Sequence, residues 1–178
     1  MTTKITILGG GAMATACAIL LAERADQSVT IWARNRAYAD EMQATRENRR
    51  LLPGVLLPPR VTVTADLDRA LAGTQYLVAA IPTQFLRDSL SAIRSHLPQV
   101  VPVVSVAKGI ENGTFLRPSE IITDTLEAPA VAALSGPSHA EEIGRGKPAI
   151  VVAASTDLAF SRLVQRMFNT ERFRVYTN

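Results

Sequence analysis

The chain has 178 residues, 47% of them apolar and 20% charged, with a net charge of +3; this is enough for one substantial globular domain that buries roughly 70% of its unfolded surface. No Lys/Arg-rich run or basic–aromatic alternation points to nucleic acid, and no apolar stretch reaches the ~18 residues of a membrane span. Cys17 is the only cysteine, which excludes an internal disulfide and suits a reducing, cytoplasmic compartment.

The first element is a β-branched strand over residues 4–8 that stops at Gly9, Gly10 and Gly11. An Ala-rich helical pattern starts at once and runs over 12–25. Lys4 ahead of an apolar stretch superficially mimics a signal peptide, but consecutive glycines interrupt the apolar run. Strand, glycine turn and helix in this order form a site for a dinucleotide pyrophosphate. Gly9 permits the tight turn, Gly11 lets the backbone approach phosphates, and Ala14 is small enough for close helix–strand packing. The helix start offers unpaired N–H groups and a partial positive charge. Cys17, set among Ala16, Ala18 and Ile19, reads as a buried structural thiol.

Residues 29–32 are a second strand and 36–49 a polar helix, with Arg46, Arg49 and Arg50 as its solvated end. In residues 51–59, three prolines and a glycine predict a loop without regular structure. A short strand at 61–64 leads to a short helix at 66–71, capped by Thr64 or Asp66. Residues 75–81 are a continuous apolar strand, as expected when both faces of a sheet are covered. A helix runs from the 82–85 segment to about His96. Another buried strand follows at 101–106, then a helix at 118–126 with Pro118 at its first position. A strand at 131–134, a helix to about Ile143, a strand at 149–153, a helix at 157–168 and a strand at 173–176 complete the series. Strand–helix alternation at this spacing predicts an α/β, Rossmann-like doubly wound, mostly parallel sheet with helices on both faces.

In such a sheet ligands lie outside the carboxyl ends of the strands, so the residue after each strand is a candidate. After the second strand, no acid appears before Asp40, where a NAD-selective site places one about 20 residues beyond the glycines. Arg34 instead can pair with a ribose 2′-phosphate and stack on adenine, which favours NADP(H) or use of both cofactors; Arg36 reads as a surface residue. Phe85 either packs against the cofactor's apolar surfaces or belongs to the core. Lys108, directly behind a buried strand and followed by Gly109, points into the crevice where a phosphate or carbonyl oxygen would sit. Gly136 and Ser138 place small groups and N–H donors at another helix start. His139 has no Ser/His/Asp or His/Cys constellation around it in sequence, and His96 ends a helix. One cysteine and two distant histidines do not make a zinc site. Glu141 and Glu142 favour the helix start electrostatically.

These segments resemble the bacterial-type NAD(P)-dependent glycerol-3-phosphate dehydrogenases across essentially the whole chain. The carriers are ITILGGGAMATACA (5–18), TIWARN (30–35), LLPGVLLP (51–58), IPTQFLR (81–87), VAKGIE (106–111), LSGPSHAEE (134–142) and FRVYTN (173–178), in the family's order. The resemblance implies that Ala12, Met13, Arg34, Phe85 and Ala140 contact the cofactor. It implies that Lys108 touches cofactor and substrate, and that Gly136 and Ser138 line the substrate side. The sequence departs from the family at Ala14 (usually Gly), Met13 (usually aromatic) and Ala107 (often Ser or Thr).

The resemblance also implies a C-terminal helical domain carrying the acid/base lysine and a phosphate-gripping arginine. Neither position exists within these 178 residues, so the acid/base lysine is expected beyond Asn178 and no catalytic residue is expected before it. The expectation is therefore one nucleotide-binding domain over 1–178, a piece of a two-domain enzyme that is inactive alone. The whole enzyme would interconvert dihydroxyacetone phosphate and sn-glycerol 3-phosphate with NADP or NAD, feed phospholipid synthesis, and be compatible with a homodimer. The competing readings are a related 2-hydroxy-acid or sugar-acid dehydrogenase and a stand-alone nucleotide-binding sensor.

Overall fold

The computed structural model describes residues 2–97 and 99–178. Its elements in chain order are β1 (Thr3–Leu8), α1 (Ala12–Ala22), β2 (Gln27–Trp32), α2 (Arg36–Thr45), β3 (Glu47–Asn48), β4 (Leu52–Leu56), β5 (Val61–Thr64), α3 (Leu67–Leu71) and β6 (Tyr76–Ala79). There follow α4 (Thr83–Arg94), β7 (Val103–Ser105), α5 (Pro118–Leu126), β8 (Val131–Ser135), α6 (Ala140–Gly144), β9 (Ala149–Ala154), α7 (Leu158–Phe168) and β10 (Phe173–Thr177).

The main sheet has eight strands in the order β10-β9-β8-β7-β6-β1-β2-β5. All neighbours are parallel except β8 and β9, which pair antiparallel. The chain winds outward from β1 through β2 to β5, then crosses back to place β6 on the other side of β1. Leu8 at the tip of β1 is therefore flanked by Trp32 and Ala79. That reversal opens a crevice between the tips of β1 and β6, where a doubly wound sheet binds ligands.

Each face of the sheet has its own core, because successive strand side chains point to opposite sides. Ile5, Ile7, Val29, Ile31, Val78 and Val104 pack with α1, α2 and α7. Leu77, Ala79 and Val103 pack with α3, α4 and α5 through Leu71, Leu86, Leu90, Ile93, Ile121 and Ile122. Burying each of the Val, Leu and Ile side chains among them contributes about 1.5–3 kcal/mol. Cys17 is buried in the first core, and its burial pushes the thiol up to about 12, which keeps it a neutral packing group. Asp66 caps α3 by accepting from the Arg69 N–H at 2.9 Å, and Pro118 starts α5.

The 36–59 region departs from the sequence expectation. The helix ends at Thr45 because Arg46 takes a left-handed backbone with φ 56°. The expected irregular loop contains β4, which pairs antiparallel with β3 through an irregular register. Proline and glycine are tolerated because the ribbon is short and edge-like. The Gly54 N–H donates to the Glu47 carboxylate at 2.8 Å instead of entering a ladder. Burial of Leu52, Val55 and Leu57 overrides the local turn propensity. Arg46 is not a solvated helix end either. Its guanidinium donates to the carbonyls of Pro58 (2.6 Å) and Val61 (2.7 Å), tying the ribbon's exit to α2. Arg49 and Arg50 are exposed.

Candidate functional site

At the β1/β6 crevice the structure places a cavity of about 440 Å³. Gly9, Gly11, Ala12, Met13, Arg34 and Phe85 line it, together with Gly10, Trp32, Ile81, Ser89, Val106 and Ala107 among others. The glycines differ in what they make room for. Gly9 has φ +119°, and a Cβ there would lie 2.7 Å from the Ala80 carbonyl oxygen. Gly10 presses against Ala33, whose Cβ would stand 2.8 Å from an added Cβ. At Gly11 an added Cβ would meet nothing within 4 Å. The first two glycines thus close the turn onto β2 and β6, and the third leaves space on the cavity side.

Gly11 is also the N-cap of α1, with no side chain capping it and no acid in the first turn. The first N–H groups of a helix have no intrahelical partner and carry partial positive charge. Among the described residues no carboxylate lines the cavity, and Arg34 is its one full charge. Arg34 is exposed and has no hydrogen bond or ion pair among the described residues. The site is therefore shaped and polarised for an anion at the glycine turn, with a second cationic contact beyond β2.

Phe85 is 64% exposed on the first turn of α4 and lines the cavity, so it is not a core residue. Ser89 follows one turn later on the same helix face. Sequence reading passes over Ser89, although the i, i+4 spacing from Phe85 is the signal that finds it. Trp32 likewise escapes it; the indole N–H donates to the Ala65 carbonyl at 3.2 Å while the ring borders the cavity.

Lys108, Gly136 and Ser138 come together at the cavity's edge, outside its lining. The Lys108 Nζ donates to the Gly136 carbonyl at 3.0 Å and to Ser138 Oγ at 3.3 Å. Gly136 has φ +155°, and a Cβ there would lie 2.8 Å from the Ile150 carbonyl oxygen, so this loop packs flush on β9. Ala140, the first residue of α6, is half-buried against the core and does not line the cavity. Met13 links the two regions: it lines the cavity and also a small apolar crevice that it shares with Ser138, Val106 and Ile143.

The loop bearing Lys108 is fastened to α4. Thr83 Oγ1 donates to the Lys108 carbonyl at 2.7 Å, and the Gln84 side chain donates to the Ile110 carbonyl at 2.8 Å. Arg87 grips the buried Glu111 carboxylate with two N–H groups, both at 2.9 Å, and also pairs with Asp124. The Arg87 hydrogen bonds, then the Thr114 hydroxyl, hold the Glu111 carboxyl below the usual carboxylate range. A carboxyl depressed in the folded state stabilises it above the unfolded pKa and loses that contribution as pH falls through the folded one. Arg87→Met is accordingly expected to lower the urea midpoint at pH 7 more than at pH 3; an equal loss at both pH values would contradict this coupling.

A larger open groove of about 910 Å³ lies between α5 and the β8–β9 pair, at the end of the sheet away from the β1 tip. Asn178, the residue beyond which the acid/base lysine is expected, borders this groove and not the glycine-turn cavity. Its N–H donates to the Ala153 carbonyl at 3.1 Å and its carbonyl accepts from the Ser155 N–H at 3.3 Å. The Asn178 backbone thus continues the β10–β9 pairing by one step, and its side chain is exposed. His96 sits on the surface, its Nδ1 2.7 Å from Asp68. Among the described residues no group of three His, Cys, Asp or Glu side chains could hold a metal ion, and no helix is long and apolar enough to cross a membrane.

A phosphate-ready glycine turn at the reversal of a doubly wound parallel sheet defines a Rossmann-like domain. Its closer affiliation follows from comparison with known proteins. Residues 4–161 match the family model described as NAD-dependent glycerol-3-phosphate dehydrogenase N-terminus, and the chain belongs to that family. It is 43% identical over 177 residues to the NAD(P)+ glycerol-3-phosphate dehydrogenase of Carboxydothermus hydrogenoformans, covering 98% of this chain and 52% of that protein. It is 41% identical over 178 residues to a Mycobacterium tuberculosis enzyme of the same name, covering 99% of this chain and 53% of the other. The crystal structure of glycerol-3-phosphate dehydrogenase from Coxiella burnetii superposes with a TM-score of 0.92 at 29% identity, over 99% of this chain and 54% of that one. The chain spans about half the length of the curated relatives it matches.

Proposed function

We propose that residues 1–178 are the nucleotide-binding domain of an NAD(P)-dependent glycerol-3-phosphate dehydrogenase. The whole protein would interconvert dihydroxyacetone phosphate and sn-glycerol 3-phosphate in the cytoplasm, in support of glycerophospholipid synthesis. The observation that carries this reading is the open side of Gly11 at the β1/β6 crevice, with Gly9 and Gly10 packed tight behind it.

In this reading the backbone N–H groups of Gly11, Ala12 and Met13 hold the pyrophosphate, Arg34 faces the ribose 2′ position, and Phe85 covers the nicotinamide side. The bound nicotinamide supplies hydride chemistry. Lys108 holds its charge at the cavity's edge through the Gly136 carbonyl and Ser138 Oγ. There the ammonium would neutralise a substrate phosphate or stabilise negative charge developing on a carbonyl oxygen. Ala140, outside the cavity lining, is assigned to the cofactor by the family resemblance alone. The acid/base lysine is assigned to the second half of the full-length protein, beyond Asn178, and homodimerisation of that protein belongs to the same proposal.

Titration of the chain with NADPH and NADH tests the reading. Both are expected to bind, and Arg34→Ala is expected to weaken NADPH about tenfold while leaving NADH within about twofold, the value of one charge-assisted contact. Equal losses for the two cofactors would remove Arg34 from the 2′-phosphate.

A further inference from the structure

We infer that Asn48 is a positioning residue for the pyrophosphate site: it sets the direction of the peptide groups that would bind the anion. The inference rests on the cofactor reading above and concerns a residue that no sequence motif singled out.

Asn48 lies on β3 and is fully buried, yet every polar atom of its amide is used. Its Nδ2 donates to the Gly10 carbonyl at 3.2 Å and to Thr15 Oγ1 at 2.8 Å. Its Oδ1 accepts from the Leu51 N–H at 3.0 Å and from the Tyr38 hydroxyl. The Leu51 N–H can only donate and the Gly10 carbonyl can only accept, so the amide has one workable orientation. The Tyr38 hydroxyl lies 3.2 Å from the same Gly10 carbonyl. Thr15 extends the network, since its Oγ1 donates to the Gly11 carbonyl at 3.0 Å and its N–H to the same oxygen at 3.1 Å.

The consequence comes from the planarity of the peptide. In a trans peptide the C=O of one residue and the N–H of the next point in opposite directions. Drawing the Gly10 carbonyl inward onto the Asn48 amide, whose orientation the Tyr38 hydroxyl helps to fix, turns the Gly11 N–H outward. Drawing the Gly11 carbonyl onto Thr15 does the same for the Ala12 N–H. Gly11 and Ala12 both line the cavity. A glycine-rich turn is free to rotate its peptides; the buried network removes that freedom before any ligand arrives, so less ordering is left for binding to oppose.

The network reaches the turn from the β3–β4 ribbon, which also packs on α6. At Gly144 an added Cβ would lie 3.0 Å from Leu52 and 3.2 Å from Val55. One small ribbon thus braces the glycine turn and the helix that follows the Gly136–Ser138 loop.

The test uses the purified chain with Asn48→Ala and, as a milder change that keeps the ring in place, Tyr38→Phe. NADPH, NADH and adenosine 2′-monophosphate, which lacks the pyrophosphate, are the probes. Asn48→Ala is expected to weaken NADPH and NADH by the same factor of about ten, and Tyr38→Phe by about threefold. Adenosine 2′-monophosphate affinity should stay within about twofold in both. The free-state amide resonances of Gly11 and Ala12 should move while those of β7 do not. Unchanged cofactor affinity in both variants would overturn the inference, as would a loss shared equally by the monophosphate. Failure of the parent chain to bind any of the three would overturn the cofactor reading and this one together. If Asn48→Ala does not fold, Tyr38→Phe decides alone.

Discussion

Alanine in place of Gly9 is expected to destabilise the chain by about 3 kcal/mol, whereas alanine at Gly11 leaves stability nearly unchanged and weakens cofactor binding. At Gly9 the backbone has φ +119°, where L side chains are strained, and the new Cβ would sit 2.7 Å from the Ala80 carbonyl oxygen. Relief requires separating the tips of β1 and β6, which are joined by the Ala80 N–H to Leu8 carbonyl bond at 3.0 Å. For a chain of this size the melting temperature should fall by roughly 6–12 °C. Gly11 has φ −78°, which alanine adopts without strain, and its Cβ would enter open cavity. Its melting temperature should stay within about 1 °C of the parent. Its NADPH affinity should fall at least about tenfold if the phosphates bind as proposed, because the methyl group would occupy their space. Thermal melts and NADPH titrations of the two variants separate a folding glycine from a binding one. Tight NADPH binding by Gly11→Ala would place the pyrophosphate elsewhere.

If the whole protein has the proposed activity, replacing Lys108 with methionine in it is expected to lower kcat/KM for dihydroxyacetone phosphate by about 10²–10³-fold, the range for removing one preorganised electrostatic partner. The side chain is exposed, and its protein contacts are the Gly136 carbonyl and Ser138 hydroxyl. Both partners are solvent-accessible enough to rehydrate, so the fold should tolerate the change. Arginine at this position keeps the charge but not the compact tetrahedral ammonium, and is expected to restore only part of the activity. A loss of less than about threefold in Lys108→Met would remove this lysine from the substrate side.

Much of the architecture is legible because it follows from local rules. Ile5, Ile7, Val78 and Val104 sit in β-branched or continuous apolar runs, and such runs between helical patterns predict a covered parallel sheet. The glycine turn is legible because its chemistry depends on missing side chains. Residues 46–57 are not: Pro53 and Gly54 advertise a loop, but burial of Leu52 and Val55 draws the segment into β4. Arg46 misleads for the same reason, since its partners Pro58 and Val61 are carbonyls set by the ribbon's path. Phe85 stays ambiguous in sequence because a helix start faces both core and cleft, and only the structure shows it exposed on the cavity side of α4.

By itself the sequence determined the alternation of strands and helices, the place of the glycine turn after β1, and the candidates behind each strand tip. Those depend on periodicity and on backbone freedom, which are properties of neighbours along the chain. Tertiary structure alone decided that β6 returns to the far side of β1, that Lys108 reaches the Gly136 carbonyl, and that Asn48 orients the Gly10 peptide. These contacts join residues 28 to 71 positions apart. They depend on the two apolar cores holding the strands in register, so no local pattern records them.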